Sequence, residues 1–451
     1  MKHVSVIGLG KLGAPMVACI GARGFRVTGV DLNPQKVDCI KRGVAPVKEP
    51  GLSELIGEAG SNLEATTNTA EAVHQSSATF VVVATPSEEG GGFSLQYVLP
   101  TCEAIGRAIG TKKEYHLVVL TSTVMPGSTG GVVKDALERS SGKKCGKDFG
   151  LCYSPEFIAL GTVIRDFYNP DFLLIGESDP RAGDELAALY QQICKNAPPM
   201  ARMNFINAEV TKLAVNTYIT TKISYANMLA RLCEKLPGAD VNVVTDALGL
   251  DTRIGAKYLK GAVSYGGPCF PRDNRALAAL ASRVGASSGL AEATDKFNRA
   301  QIKSVAELVQ AERTGNETIG ILGLTYKPNT DVVEEAFGLL LAQHLVAADL
   351  PVVVFDPLAD APRVASACKG AKVAKSAEDC IVQAGVVVLA TPWQEFSKIP
   401  APAWTRKDAP RVVVDCWRAL GHLTNVDGLR YVRLGFGETT KHAAAQTVLA
   451  R

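Results

Sequence analysis

Short, largely apolar runs alternate along this chain with longer stretches in which apolar residues recur at helical spacing. The runs Val4 to Ile7, Arg26 to Val30, Phe80 to Ala84 and Leu117 to Leu120 read as buried strands. The alternation returns after Thr318, with strands at Ile319 to Leu322, Val352 to Phe355, Val386 to Ala390 and Val412 to Val414. Strands that alternate with helices predict parallel, doubly wound α/β sheets. Between the two blocks the texture changes. From Asn204 to Leu236 one helical pattern runs without internal Gly or Pro, a helix of about 45 Å at 1.5 Å per residue. The pattern thus predicts two Rossmann-like domains, 1–203 and 314–451, joined by a helical middle at 204–313.

Composition narrows the classes. The 451 residues are 47% hydrophobic and 21% charged, with 48 basic and 45 acidic side chains for a net +3. That balance, without a basic run or basic-aromatic interleaving, argues against a nucleic-acid partner. No apolar stretch approaches the roughly 20 residues of a membrane span, and the first strand leaves no room for a signal peptide. The 11 cysteines show no C-x-x-C pair and no metal-type spacing, so reduced thiols, no metal and a cytoplasmic location are expected.

Candidate chemistry begins at the first turn. The strand Val4 to Ile7 leads into Gly8-Leu9-Gly10-Lys11-Leu12-Gly13, then a helical stretch and a second strand that ends at Asp31. Glycines at this spacing allow a tight turn, close approach of a pyrophosphate and close helix-strand packing. The helix N-terminus offers free N–H groups to phosphate, and Asp31 stands where a carboxylate accepts from ribose hydroxyls, which favours NAD over NADP. The strand ends Thr85-Pro86-Ser87 and Thr121-Ser122-Thr123 are further candidate cofactor contacts, although Ser and Thr serve ordinary turns as well. The second block imitates the first at Gly320 and Gly323, but the third glycine is missing and Lys327 sits in the loop, where it can neutralise a pyrophosphate.

The remaining chemistry lies in the middle. Tyr265-Gly266-Gly267-Pro268-Cys269-Phe270-Pro271-Arg272-Asp273 holds one thiol in a glycine-lined, proline-stiffened loop, which is how a covalent nucleophile would be presented. A tight turn around a buried cysteine would read the same way. Lys212 and Asn216 are spaced i, i+4 on the long helix and share a face. Together they can hydrogen-bond a developing oxyanion or simply form a solvated polar face.

With these pieces in order, the chain resembles the UDP-glucose/GDP-mannose dehydrogenase family over nearly its whole length. The resemblance rests most on Gly266 to Asp273, supported by Gly8 to Gly13 with Asp31, Glu49-Pro-Gly-Leu52, Ser122-Thr123-Val124, Ser154-Pro-Glu156-Phe157, Lys212 with Asn216, Arg253-Ile-Gly255 and Tyr326-Lys327-Pro328. It implies a four-electron oxidation of a nucleotide-sugar C6 alcohol, with two NAD used in turn and a Cys269 thiohemiacetal and thioester on the way. It also implies that Lys212 and Asn216 steady the oxyanion, that Thr123 and Asp273 position water, and that Glu156 assists as a carboxylate. Lys11, Leu12, Lys36, Thr85, Pro86 and Ser122 become cofactor contacts. Arg253, Tyr265, Gly266 and Lys327, with Glu156, Lys212 and Asn216, become substrate contacts. Arg253 would reach the substrate of a second copy, so a homodimer or larger homo-oligomer is implied.

Three positions depart from the family pattern: Leu160 and Glu334, where a glutamate and a cofactor-touching arginine are expected, and Trp417, with Arg418 one place late. They leave the cysteine chemistry intact and bear on the substrate. UDP-glucose is the default, with UDP-N-acetylhexosamines and GDP-mannose as alternatives. A two-electron β-hydroxyacid dehydrogenase has no use for Cys269 or a second nucleotide domain. A non-catalytic nucleotide-sugar-binding protein has no use for Cys269, Lys212, Asn216 and Asp273 together.

Overall fold

In the computed structural model, which describes residues 3–407 and 409–438, the chain divides into two compact units, Met1–Ala214 with Ala279–Ala286, and Val215–Ala278 with Ser287–Arg451. Each unit contains one sheet.

The first sheet has eight strands: β1 (His3–Ile7), β2 (Arg26–Val30), β3 (Leu63–Thr66), β4 (Ala78–Val81), β5 (Leu117–Leu120), β6 (Gly150–Tyr153), β7 (Leu173–Glu177) and β8 (Met200–Met203). Their order is β3-β2-β1-β4-β5-β6-β7-β8. The second has six: β9 (Ile319–Leu322), β10 (Val352–Phe355), β11 (Lys372–Val373), β12 (Val386–Leu389), β13 (Arg411–Asp415) and β14 (Leu429–Arg433), in the order β11-β10-β9-β12-β13-β14. Both orders reverse direction beside their first strand, at β1/β4 and at β9/β12. Ligands of doubly wound sheets bind at such reversals. The six-stranded sheet is parallel throughout. In the larger one β7 runs antiparallel to β6, pairing Cys152 with Glu177, so that sheet is mixed where the sequence pattern predicts a parallel one.

Central strands such as β5 and β12 are apolar at every position because both faces are covered, whereas the edge strands β3 and β8 carry Glu64 and Arg202. Leu117 and Val119 pack into one cluster of the first unit, and Val118 and Leu120 into the other. Val386 and Val388 divide from Val387 and Leu389 in the same way. Successive side chains of a strand point to opposite faces, and each buried aliphatic contributes roughly 1.5–3 kcal/mol.

The long helix spans Phe205–Cys233, and the boundary between the units falls within it. Its N-terminal turns are fixed in the first unit by Glu209, fully buried, which accepts from the N–H groups of Gly127 at 2.6 Å and Thr129 at 2.8 Å. No helix among the described residues is long and apolar enough to cross a membrane.

Candidate active site

The first unit contains the glycine turn. Gly8 has φ +106°, and a Cβ on Gly13 would lie 1.8 Å from the Gly8 carbonyl oxygen, so the helix Gly13–Ala22 can start this close to β1 only with glycine. No side chain caps that helix, and a Cβ on Gly10 would meet nothing within 4 Å. The turn thus leaves open backbone donors and space for a pyrophosphate.

Asp31 at the end of β2 fastens this turn. Its Oδ2 accepts from the Leu9 N–H at 2.8 Å and from Lys36 Nζ at 3.1 Å, and its Oδ1 from the Asn33 N–H at 2.9 Å. Burial opposes its ionisation, yet these donors outweigh that and hold the carboxyl below its usual range. A carboxylate has about four acceptor sites, so one is left for a ribose hydroxyl. Ser122 donates to the Val83 carbonyl at 2.6 Å, closing the turn after β5 onto the end of β4. Thr123 follows it, half-buried, and Thr85 is buried beside the exposed Pro86.

Glu156 and Lys212 form the second cluster of this unit. Lys212 Nζ donates to the Glu156 backbone carbonyl at 2.7 Å and lies 4.5 Å from the centroid of the Phe157 ring. The Glu156 carboxyl receives the Tyr190 hydroxyl at 3.5 Å. Burial raises its pKa to about 7, against the opposing pull of Lys212 and the Tyr190 hydrogen bond. Some surface of the residue remains accessible, but the carboxyl itself is densely surrounded, which explains the raised value. Glu49 ties down the adjoining loop, accepting from Gly161 and Val163 N–H at 2.8 Å each. Leu160 lies in that braced loop.

The second unit contains the thiol. Of the eleven cysteines, Cys269 alone is exposed. Burial pushes the thiols of Cys19, Cys102 and Cys380 up to about 12, which keeps them inert. Cys269 immediately precedes the helix Phe270–Arg283, and its carbonyl accepts the Asp273 N–H at 2.8 Å. A helix N-terminus favours negative charge, the state a thiol needs for attack.

Asn216 Nδ2 donates to Asp273 Oδ2 at 2.6 Å, and Arg272 Nε reaches Oδ1 at 3.4 Å. Asp273 is 1% exposed and Asn216 7%. Asn274 extends the network to the Thr220 hydroxyl at 2.9 Å and the Tyr265 hydroxyl at 3.4 Å. The backbone of the loop is held by Asn298, whose amide accepts the Tyr265 N–H at 2.8 Å and donates to the Tyr265 carbonyl at 3.0 Å. A Cβ on Gly266 would lie 2.2 Å from the Glu335 carbonyl oxygen, and one on Gly267 would lie 2.8 Å from the Tyr326 ring. The segment 326–336 is therefore packed directly on the cysteine loop. Lys327 projects from that segment, 5.9 Å from the Tyr326 centroid. Arg253 stands apart, paired with Asp251 at 2.6 Å, its side chain 87% exposed.

The second glycine turn corrects the sequence reading. Its third glycine is present as Gly338, whose Cβ would lie 2.0 Å from the Gly323 carbonyl oxygen. That close approach matches the one between Gly13 and Gly8, at the start of the uncapped helix Phe337–Ala347. Gly338 follows Gly323 by fifteen residues where Gly13 follows Gly8 by five, because the segment carrying Lys327 is inserted between them. Asp356 repeats Asp31: its Oδ2 accepts from Leu324 N–H at 2.7 Å and Thr325 N–H at 3.0 Å. Asp356 also takes the Trp393 indole and two further amides, so its acceptors are filled. Sequence reading also missed Asn298 and Asn274. The signal available was polar residues at core positions of helices.

Trp417 and Arg418 have local roles. Trp417 Nε1 donates to the Ala390 carbonyl at 2.8 Å. Arg418 donates to Asn242 Oδ1 and to the Gly261 carbonyl, each at 2.7 Å, fastening the chain that leads to the cysteine loop.

A dinucleotide turn fastened by a carboxylate at the next strand end, and a second turn of the same build, are the features of an NAD-dependent dehydrogenase. Comparison with known proteins gives the family. Three models of the UDP-glucose/GDP-mannose dehydrogenase family match: the NAD binding domain over residues 2–194, the central domain over 206–300 and the UDP binding domain over 320–422. The chain belongs to this family and is an NAD-dependent nucleotide-sugar 6-dehydrogenase. It is 34% identical to the UDP-glucose 6-dehydrogenase AglM of Haloferax volcanii, over 96% of this chain and 100% of that protein. It is equally 34% identical to the GDP-mannose 6-dehydrogenase of Pseudomonas aeruginosa, over 81% and 84%. The solved UDP-glucose dehydrogenase of Pyrobaculum islandicum superposes with a TM-score of 0.87 at 31% identity, covering 97% of this chain and 98% of that one.

Proposed function

We propose that the enzyme oxidises C6 of UDP-glucose to the carboxylate of UDP-glucuronate, with Cys269 as covalent nucleophile. The observation that carries the covalent step is the single exposed thiol at a helix N-terminus, in a loop whose backbone Asn298 holds at both polar groups. The Gly8–Gly13 turn and Asp31 would hold NAD, which would supply the hydride acceptor for both oxidations.

In the first oxidation, C6 loses a hydride and its hydroxyl a proton, leaving an aldehyde. Glu156, with a pKa of about 7, is suited to take that proton at neutral pH. The Cys269 sulfur then adds to C6. The resulting oxyanion is assigned to the Lys212 ammonium and the Asn216 amide. The hemithioacetal carbon loses the second hydride and becomes a thioester. Water, held by Thr123 and Asp273, adds to the thioester, and the thiolate leaves as the C–S bond breaks. Overall, one alcohol, one water and two NAD give one carboxylate, two NADH and three protons. A thiol is required because the aldehyde must be held covalently for its second oxidation.

In this reading residues 1–203 hold NAD, 204–313 carry the thiol and 314–451 hold the nucleotide end of the substrate. Tyr265, Gly266 and Lys327 meet the substrate, and Lys11, Leu12, Lys36, Thr85, Pro86 and Ser122 meet the cofactor. Arg253 is assigned to the diphosphate bound by a second copy in a homodimer. Tyr218, Tyr225 and Leu232, 65%, 49% and 55% exposed, recur every seven residues on the long helix and supply an apolar stripe for that contact.

UDP-glucose is favoured because AglM matches over 96% of this chain and the solved UDP-glucose dehydrogenase superposes with a TM-score of 0.87, against 0.54 for the solved GDP-mannose dehydrogenase of Pseudomonas aeruginosa. GDP-mannose and the UDP-N-acetylhexosamines are the alternatives, and the GDP-mannose enzyme shares the same 34% identity. Ranking kcat/KM for UDP-glucose, UDP-N-acetylglucosamine, UDP-N-acetylmannosamine and GDP-mannose decides between them. The proposal requires UDP-glucose to rank first, and GDP-mannose or an N-acetylated sugar in that place overturns it.

A further inference from the structure

A cavity of about 360 Å³ lies within the second unit between the helices Phe205–Cys233 and Gly289–Glu312, with Ala262 and Leu434 also in its lining. None of its lining residues belongs to the machinery assigned above. Its volume falls at the low end of small-ligand sites and far exceeds the 10–15 Å³ or so that one buried water needs.

Of its buried polar side chains, Asn227 is satisfied by the Val263 carbonyl and the Ala262 N–H, whereas Gln301 keeps a donor without an acceptor. Gln301 is 3% exposed, and its Oε1 accepts Arg231 Nε at 2.7 Å. Because Arg231 Nε–H can only donate, that contact fixes the orientation of the amide. Gln301 Nε2 is then left buried without a partner. An unsatisfied buried donor costs enough that native folds rarely keep one without an occasional acceptor. Arg231, half-buried, directs only its Nε to Gln301, and among the described residues no carboxylate lies within ion-pair distance of its guanidinium. Burial works against its charge and outweighs the opposing pull of Glu234 and Glu307, neither of which forms an ion pair with it.

The carboxylates nearby do not fill this role. Glu234 accepts the Gly435 N–H at 2.8 Å, and burial shifts it toward the neutral acid. Glu307 is exposed at the rim and faces Lys303 at 3.8 Å. Ser304 gives its proton to the Ala300 carbonyl at 3.2 Å, so its oxygen accepts from a ligand hydroxyl.

We propose that this cavity binds a compact anion, a phosphate or a carboxylate on a small polar molecule, through the Gln301 amide and the free side of the Arg231 guanidinium. Its volume suits a sugar phosphate or a dicarboxylate and excludes a dinucleotide.

Titration calorimetry of the intact protein with inorganic phosphate and, separately, with succinate tests this and distinguishes the two anion classes. The site predicts millimolar or tighter binding of one of them, weakened tenfold or more by Gln301→Glu and by Arg231→Gln and unchanged by Lys327→Ala. Gln301→Glu keeps the shape of the side chain and gains an ion pair with Arg231, so it folds, which its melting temperature verifies. Absence of binding by either anion, binding that survives both cavity substitutions, or binding lost only in Lys327→Ala overturns the proposal. No arm depends on turnover, so a failed dehydrogenase assignment would leave this result standing.

Discussion

The side-chain amide of Asn216 donates to Asp273 Oδ2 across 2.6 Å, in a place where Asp273 is 1% exposed. The pair links the long helix to the first turn of the helix that follows Cys269. A buried carboxylate stripped of a donor loses about 1–3 kcal/mol. Asn216→Ala is therefore expected to lower kcat for NADH formation by about 10- to 100-fold while the protein stays folded. An unimpaired Asn216→Ala enzyme removes the pair from the reaction.

Selective chemistry at Cys269 follows from exposure. Iodoacetamide on the native protein is expected to incorporate about one equivalent, to place it on the peptide carrying Cys269, and to abolish NADH formation. Peptide mass spectrometry reads the site. Alkylation confined to the half-buried Cys39 or Cys145, with activity retained, would contradict the account.

Glu156 predicts a pH profile. As a base it must be ionised, so kcat/KM is expected to rise as pH increases through about 7 and then level. Glu156→Gln should flatten that limb. The stability effect has the opposite sense. With a folded pKa of about 7 against an ordinary 4.5, the folded state holds a proton that the unfolded state has released between those values. Stability then falls as pH rises through that window. Glu156→Gln should accordingly raise the melting temperature more at pH 8 than at pH 5. A wild-type acid limb that persists in Glu156→Gln assigns it to another group.

Two glycines give opposite signs. Ala usually improves on Gly within a helix by about 1 kcal/mol, but at Gly338 its Cβ would meet the Gly323 carbonyl at 2.0 Å. Gly338→Ala is expected to destabilise the second unit by about 1–3 kcal/mol. Gly10→Ala meets no protein atom within 4 Å. It should leave the melting temperature unchanged and raise KM for NAD. Thermal melts and NAD saturation curves separate the two, and a stabilised Gly338→Ala protein would refute its equivalence to Gly13.

The central strands of both sheets were legible in the sequence because strands covered on two faces, such as Val386 to Leu389, are apolar without interruption, whereas edge strands such as Leu63–Thr66 and Met200–Met203, which carry Glu64 and Arg202, were not. The first glycine turn was legible because its elements are contiguous. Gly338 was hidden because an insertion separates it from Gly323, and spacing is all a sequence motif offers. The antiparallel β7 was hidden because strand direction leaves no mark on a run such as Leu173–Glu177. The cysteine loop stood out by composition, whereas Asn298, which holds it, is distant in sequence and carries no signal beyond its polarity. The further engagement of Asp31 with Leu9, Asn33 and Lys36 likewise depends on tertiary geometry.

The most direct test of the central claim counts NADH per sugar. Wild-type enzyme given limiting UDP-glucose and excess NAD is expected to form two NADH per sugar and UDP-glucuronate, while Cys269→Ser loses the second equivalent. One NADH per sugar from the wild type, or two from Cys269→Ser at an undiminished rate, would contradict a thioester at Cys269.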